Sequence, residues 1–319
     1  MKRRALSAVV LLAAVVAGAT PASAQDWPTK PVRIVVSFAP GGAADIWARL
    51  IAEPLSAALK QSVVIENRGG GGGLVAAQQV ARAEPDGHTI LMGGFASQIL
   101  APSVADNPGF DGLKDFSHIA YIGGPPLVWV VPPGSELRSV ADLIAAAKAD
   151  KFSGYASSGV GTVGHLVVEY VAAKNGLKLT HIPYNTAAFA DIIAGRVPMG
   201  SFTWGAALGQ LQGGTLRALA VTTETRRPEV ASVPTFKELG YDLVASTWFS
   251  FSGPKGMPKT IVQRLNQETL RILENPELKK RAVQDAFDPK PLTPEQVEAF
   301  FKAEAERWTS VAQAAMKKQ

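Results

Sequence analysis

The segment VRIVVSFAPGGAAD, residues 32–45, contains the pattern that decides the fold. Its first seven residues are mostly β-branched and apolar, which predicts a buried strand. A Pro-Gly-Gly turn then leads into an amphipathic pattern over residues 43–59, which predicts a helix. Pro54 lies inside this pattern, and we expect it to kink or shorten the helix. A strand that continues into a helix through a short turn is the first half of a βαβ unit.

The same alternation continues along most of the chain. Further strands are predicted at residues 62–66, 89–92, 127–131, 153–156, 179–182 and 216–221. Further helices are predicted at residues 74–83, 139–149, 163–173, 187–194, 259–273 and 293–308. Strand–helix–strand repetition predicts parallel, doubly wound sheets with right-handed crossovers, in the α/β class. Because the alternation restarts after about residue 124 and the chain is long for one core, we expect two lobes with a cleft between them.

The first 24 residues have the features of a secretory signal. Lys2, Arg3 and Arg4 precede an apolar run at residues 5–17, and small side chains follow at residues 22–24. The apolar run is shorter than the roughly 20 residues that span a bilayer. We therefore predict export to the periplasm with cleavage after Ala24, and an uncleaved anchor is the alternative.

Charge and cysteine content narrow the function further. The chain has 32 Lys and Arg against 27 Asp and Glu, and without the three basic residues of the leader the balance is 29 against 27. Such a weak net charge, with no basic stripe, argues against a nucleic-acid partner. The chain has no Cys, which excludes disulfides, thiolate metal sites and cysteine nucleophiles.

The loop at residues 39–45 joins a predicted strand to the start of a predicted helix. Helix N-termini expose unsatisfied N–H groups and a positive dipole end, so this geometry suits an anion. Glycine has no Cβ and lets the backbone approach a ligand closely. The candidate binding residues here are Ala39, Pro40, Gly41, Gly42 and Asp45. The alternative is a tight turn in which Asp45 simply caps its own helix.

A second loop, at residues 155–162, repeats this arrangement before the helix predicted at 163–173. The candidates in it are Ser157, Ser158, Gly159 and Thr162, followed by His165 in the first helical turn. Its glycines also match G-x-G-x-x-G, but Tyr184 stands where a dinucleotide site needs an acidic residue. We therefore predict two anion-binding loops, one in each lobe, and no cofactor.

Signals for catalysis are weak. The four histidines show no H-E-x-x-H or paired spacing, so a metal site is not expected. The chain has no G-x-S-x-G elbow, and Pro254 interrupts its one S-x-x-K match. Asp45, His165 and Tyr184 are the only residues that an exported enzyme would have available in the cleft. Trp129 and Trp204 either line the cleft or belong to the core.

Several stretches together resemble the Bug family, the periplasmic solute-binding receptors of tripartite tricarboxylate transporters. The resemblance covers nearly the whole chain after the leader. The matching stretches are WPTKPVRIVVSFAPGGAAD from Trp27, VVIENR from Val63, PDGHTILMG from Pro85, YASSG from Tyr155, HIPY from His181 and LRALAVT from Leu216.

The resemblance implies a two-lobed type II periplasmic-binding-protein fold, a Venus flytrap in which each lobe is a mostly parallel sheet flanked by helices. It implies that residues 25–124 and 246–319 form the first lobe, and that residues 125–245 form the second. The two loops would close on a small carboxylate, partly through bridging water at residues 40–42. It further implies no catalysis, no cofactor, a monomer, and delivery of the ligand to integral membrane transporter subunits.

The sequence departs from the family pattern at the second lobe's side of the cleft. Asn185 and Thr186 stand where the family often has Lys-Gly, and Pro198 and Phe202 stand where it often has Asp. These changes make the cleft less polar and predict a ligand with an apolar or aromatic body. The predicted ligand contacts are completed by Ser97, Tyr184, Asn185, Phe202 and Trp204. A ligand sensor that docks to a membrane sensor kinase is the alternative, and an exported enzyme that acts on a carboxylate is a further one.

Overall fold

The computed structural model describes residues 27–152, 154–184 and 188–316. The predicted leader and Asn185 lie outside these residues. The described residues form ten strands: β1 Val32–Val36, β2 Val63–Asn67, β3 Thr89–Gly94, β4 Phe116–Gly123, β5 Leu127–Val131, β6 Gly154–Ser157, β7 Thr180–Pro183, β8 Gly200–Thr203, β9 Arg217–Val221 and β10 Phe249–Pro254. They form two five-stranded sheets, in the orders β2-β1-β3-β10-β4 and β7-β6-β8-β5-β9.

Each sheet contains one reversed strand. Strand β10 runs antiparallel to both of its neighbours in the first sheet, and β5 does so in the second. The other pairs next to β1 and β6 are parallel. The strand–helix alternation did not predict these reversed strands, and the α/β class with mostly parallel sheets is confirmed.

The chain passes between the sheets twice, immediately before each reversed strand. Thr247 N donates to Pro125 O at 3.0 Å, and Pro126 and Ser246 form an antiparallel bridge. The predicted lobe limits, at residues 124 and 246, separate the strands of the two sheets. For the helices these limits remain a prediction, because the C-terminal helix contacts both lobes.

Ten α-helices flank the sheets: α1 Ala43–Leu59, α2 Leu74–Ala81, α3 Ala101–Val104, α4 Val140–Lys148, α5 Val163–Asn175, α6 Phe189–Ile193, α7 Trp204–Gln212, α8 Lys259–Leu273, α9 Pro276–Asp285 and α10 Pro294–Met316. Helix α1 has the predicted bounds and is not shortened at Pro54. Its apolar face, with Trp47, Ile51 and Leu55 fully buried, holds it against the first sheet on both sides of the proline.

Helix α10 joins the two lobes through aromatic contacts. The Phe301 ring packs edge-on against Trp248, with centroids 4.7 Å apart. Trp308 contacts Phe95 at 6.0 Å and Tyr170 of α5 at 6.1 Å. The buried core is therefore continuous from the first sheet to a helix of the second lobe. Within the described residues, no helix is long and apolar enough to cross a membrane.

His118 is buried beneath α10 and should make the stability depend on pH. Its ring stacks on Phe301 at 3.8 Å, and its Nδ1 lies 3.2 Å from Ser252 Oγ. Burial lowers the pKa of His118 to about 4. As the pH falls, the unfolded chain binds this proton near pH 6.5, whereas the folded chain binds it only near pH 4. The free energy of unfolding should therefore fall as the pH drops from 6.5 to 4. This one group should contribute a loss of about 3 kcal/mol at most.

The substitution His118→Asn tests this, because Asn keeps a polar atom near Ser252 and does not titrate. Denaturant unfolding between pH 7 and 4 should show a shallower loss of stability for the variant than for the wild type. Equal slopes for the two proteins would contradict the assignment.

Candidate functional site

A cavity of about 460 Å³ lies between the lobes, at the carboxyl ends of β1, β3, β6 and β8. The first lobe lines it with apolar side chains and two glycines: Phe38, Gly71, Gly72, Leu74, Phe95, Ala96, Leu100, Ala101, Val104 and Ala105. The second lobe contributes Leu127, Ser158, Val160, Gly161, Thr162, Val163, Gly164, Ser201, Phe202 and Thr203. Thr247, in the second crossing, completes the wall. Crevices at the carboxyl ends of strands are the usual ligand sites of open α/β sheets.

The loop between β6 and α5 is held in shape by its own hydrogen bonds. Gly159 N donates to Ser157 Oγ at 3.2 Å, and Thr162 Oγ1 donates to Gly159 O at 2.9 Å. Thr162 also caps α5, where its Oγ1 accepts from His165 N at 3.4 Å. Gly161 has φ +73°, a conformation that glycine adopts without strain. The loop therefore directs the start of α5 at the cavity.

The first turn of α5 offers hydrogen-bond donors to this space. The N–H groups of Val163 and Gly164 form no hydrogen bond with a described residue, and both residues line the cavity. A Cβ on Gly164 would lie 2.5 Å from Ser201 O, so only glycine allows β8 to approach this closely. Ser201 is fully buried, and its Oγ has no hydrogen-bond partner among the described residues. Two N–H groups and one hydroxyl are thus available to an anion at the positive end of the helix.

The loop of the first lobe is arranged differently. Asp45 is buried and accepts hydrogen bonds from Gly41 N at 2.9 Å, Arg49 Nε at 3.0 Å and Asn67 Nδ2 at 3.0 Å. Burial acts to raise the pKa of Asp45, but the hydrogen bonds from Arg49, Gly41 and Asn67 outweigh it and hold that pKa below its ordinary value. The Asp45 carboxylate therefore lies in the first turn of α1, where it is bonded to the preceding turn and to Arg49. It does not cap the helix, and the N–H groups of Ala43 and Ala44 form no hydrogen bond with a described residue.

The predicted loop residues of the first lobe do not form part of the cavity wall. Ala39, Pro40, Gly41 and Gly42 are exposed, and only the preceding Phe38 lines the cavity. Ligand contact at residues 39–42 therefore remains a prediction, and the two loops are not equivalent in this structure, because only the second one lines the cavity.

Two further candidates, Ser97 and Tyr184, do not line the cavity. Ser97 is fully buried beneath Gly73 and behind the cavity-lining Phe95 and Ala96, and its Oγ has no partner among the described residues. The Tyr184 hydroxyl donates to Asp191 Oδ2 at 2.6 Å. The structure gives neither side chain a place on the cavity wall.

The two aromatic candidates, Phe202 in β8 and Trp204 in α7, lie in different environments. Phe202 lines the cavity, and its ring packs edge-on against Phe189 at 5.0 Å. Trp204 is fully buried in the core of the second lobe, with the Arg227 guanidinium 5.6 Å from its ring centre. The strand ends at Thr203, so Trp204 begins α7 and turns inward. Trp204 therefore packs in the core and does not line the cavity.

His165 supports the loop from beneath. It is buried, and its Nδ1 accepts from Gly161 N at 3.0 Å. Its ring stacks on that of His181 at 4.1 Å, and His181 Nε2 lies 2.7 Å from Ser157 Oγ. Burial, together with the neighbouring His165, lowers the pKa of His181 to about 4. His165 is thus a positioning residue for Gly161, and Nδ1 must carry no proton in order to accept this hydrogen bond.

Sequence reasoning missed the rest of this buried network. The Tyr155 hydroxyl donates to Glu169 Oε1 at 2.8 Å, and the Tyr155 ring stacks on His181 at 5.1 Å. The quoted YASSG and HIPY stretches contain two of these residues. Their local patterns do not show that the two strands pair side by side, which is what brings the rings together.

The positioning role of His165 can be tested without a ligand. In His165→Leu, the Gly161 amide loses its acceptor and should exchange with solvent about fivefold faster, as the loss of one hydrogen bond of about 1 kcal/mol implies. In His165→Asn, the side-chain oxygen replaces Nδ1 as acceptor and should largely restore protection.

Hydrogen exchange followed by NMR measures both variants. The Leu166 amide, which donates to Thr162 O at 3.0 Å, is the internal control. If Gly161 exchanges equally fast in both variants, or if Leu166 changes as much as Gly161, His165 does not act in the proposed way.

Comparison with known proteins identifies the family. The family model described as "Tripartite tricarboxylate transporter family receptor" matches residues 47–316. The chain is 33% identical to protein BugT of Bordetella pertussis over 322 residues, which covers 97% of this chain and 96% of BugT. It is 34% identical to a UPF0065 protein from the tcbD-tcbE intergenic region of a Pseudomonas species, with 96% and 92% covered.

Solved structures show the same fold. A protein of R. palustris with adipate is 34% identical and has a TM-score of 0.76, with 91% of this chain and 98% of that chain covered. The periplasmic binding protein BugD is 30% identical, with a TM-score of 0.73 and coverage of 91% and 98%. MatC from Rhodopseudomonas palustris, with bound malate, is 26% identical, with a TM-score of 0.74 and coverage of 90% and 100%. The resemblance inferred from the sequence is confirmed: this chain belongs to the TctC family of tripartite tricarboxylate transporter receptors.

Proposed function

We propose that this protein is an extracytoplasmic receptor that binds a small carboxylate with an apolar or aromatic body in the cavity between its lobes. The receptor then delivers this ligand to the membrane subunits of a tripartite tricarboxylate transporter. One observation carries the proposal: Val163 and Gly164, whose N–H groups have no partner among the described residues, line a cavity whose first-lobe side chains are all apolar.

The donors suit a carboxylate. A carboxylate oxygen accepts from backbone N–H groups at a helix start, and charge-assisted hydrogen bonds of this kind are stronger than neutral ones. Val163 N and Gly164 N provide two such donors, and Ser201 Oγ a third. Among the described residues that line the cavity, none is Lys, Arg or His. The acid would therefore be held by neutral dipoles, which is compatible with release to a transporter.

The remaining wall suits an apolar body. Phe38, Leu74, Phe95 and Leu100 face the cavity from the first lobe, and Phe202 faces it from the second. Covering such a surface with a ligand is favourable by roughly 25 cal/mol per Å² of apolar area removed from water. Two solved relatives contain small organic acids, adipate in one and malate in the other.

Binding between two lobes implies a closing motion. The paired crossings near residues 125 and 247 are the natural hinge, since hinge motion around a ligand is typical of two-lobed binding proteins. Export through the predicted leader would place the receptor where a membrane transporter can accept the ligand. Binding and release require no bond to be made or broken.

Thermal unfolding of the mature protein against a panel of acids tests the proposal. The panel contains hexanoate, benzoate, adipate, terephthalate, malate and citrate. An acid present at 100 times its Kd should stabilise the fold by about 2.7 kcal/mol, which is a shift of several degrees. The protein is first unfolded and refolded to remove retained ligand. If no carboxylate shifts the midpoint, the proposal fails.

Ser201→Ala tests the donor set. Loss of the hydroxyl should weaken binding of the tightest panel acid by about tenfold, as expected for a hydrogen bond to a charged group. Ser250→Ala is the matched control, because Ser250 is equally buried and equally without a partner among the described residues, but lies in β10 away from the cavity.

Calorimetric Kd values decide between the two. An unchanged Kd for Ser201→Ala, or equal losses for both variants, would remove Ser201 from the site. Delivery is tested separately, by uptake of the radiolabelled acid into cells with and without this protein.

A further inference from the structure

We infer that the ligand carries a single carboxylate, held at α5, and that its far end is uncharged and apolar. This inference rests on the proposed function and specifies its ligand class. It separates this receptor from the two solved relatives above, whose ligands, adipate and malate, each have two carboxylates.

Polar side chains are confined to one side of the cavity. Ser158, Thr162, Ser201 and Thr203 all come from the second lobe, and Thr247 comes from the crossing. The side chains that the first lobe contributes to the wall are all apolar. A ligand with its acid at α5 therefore extends toward a wall on which no described residue offers its far end a side-chain donor.

The first lobe contributes one polar surface, the backbone of Gly71 and Gly72. This turn is closed on itself, since Gly73 N donates to Gly70 O at 2.9 Å and Leu74 N donates to Gly71 O. The N–H groups of Gly71 and Gly72 that take no part in this turn have no cationic side chain beside them among the described residues of the cavity wall. They can satisfy a hydroxyl or a carbonyl, but an ionised carboxylate that leaves water needs more compensation than this.

The other helix start near the cavity already holds an anion. The Asp45 carboxylate accepts from Gly41 N and is paired with Arg49 at 3.0 Å. The Asp45 charge is thus balanced by Arg49, and the exposed residues 39–42 that lead into α1 do not line the cavity. Among the described residues that line the cavity, the first lobe therefore offers no second acid site equivalent to the one at α5.

These points predict a preference between acids of equal length. Hexanoate has a methyl group where adipate has its second carboxylate. Benzoate has a ring hydrogen where terephthalate has its second carboxylate. Burying an ionised group without a partner costs several kcal/mol, whereas a methyl group in the same place gains apolar contact. The monoacid of each pair should therefore bind at least about 30-fold more tightly than the diacid, because each 1.4 kcal/mol is a factor of ten.

Isothermal titration calorimetry on the refolded mature protein measures both pairs. Tighter binding of hexanoate or benzoate supports the inference. Equal or tighter binding of adipate or terephthalate overturns it, while carboxylate binding itself still stands. If only malate or citrate binds, the inference is also overturned, since both carry more than one carboxylate. If no panel acid binds, the proposed function fails together with the inference.

A gain-of-function variant provides an independent test. Val104 lies on the apolar wall of the first lobe, so Val104→Arg should create the missing second subsite and improve adipate binding at least tenfold relative to hexanoate. Val75→Arg is the control, because Val75 is 47% exposed and does not line the cavity. An unchanged adipate-to-hexanoate ratio in a folded Val104→Arg protein would contradict the inference.

Discussion

The backbone hydrogen bond from Thr247 N to Pro125 O, 3.0 Å long, joins the two chain crossings and fixes where the lobes meet. Each crossing leads directly into a reversed strand, β5 in one sheet and β10 in the other. Strands β1, β3, β6 and β8 then end at the same space, and the loop after β6 lines it. The cavity, and the approach of α5 to its edge, follow from this one pairing.

The two loops show how similar sequences acquire different roles. Both follow a strand, both contain glycine, and both begin a helix. At α1, Asn67 and Arg49 hold the Asp45 carboxylate over the helix start. The first turn of α5 contains no acidic residue, Thr162 caps the helix, and Val163 N and Gly164 N form no hydrogen bond with a described residue. The first turn of α1 therefore carries an ionised side chain of its own, whereas that of α5 does not.

Periodicity predicted most elements, with the bounds of α1, α8 and β5 as observed. It missed α9, because the sequence PELKKRAVQD has almost no apolar stripe, and β8, because four residues are too few to show an alternation. The reversal of β10 depends on pairing across more than 100 residues, which local patterns do not contain. Within the site, Ser158, Thr162 and Phe202 were predicted and lie on the cavity wall, whereas Ser201 gave no signal because its role depends on burial. Trp204 was assigned to the cleft from its position, but the start of α7 turns it into the core.

The central claim, that the acid of the ligand lies at the start of α5, is tested most directly by NMR. Amide signals of the mature, refolded protein are followed during titration with the tightest-binding carboxylate of the panel. We expect the largest shifts at the N–H groups of Val163 and Gly164, with small changes at Ala43 and Ala44 in the first turn of α1. Large shifts at Ala43 and Ala44, with Val163 and Gly164 unchanged, would place the acid in the other lobe and contradict the account.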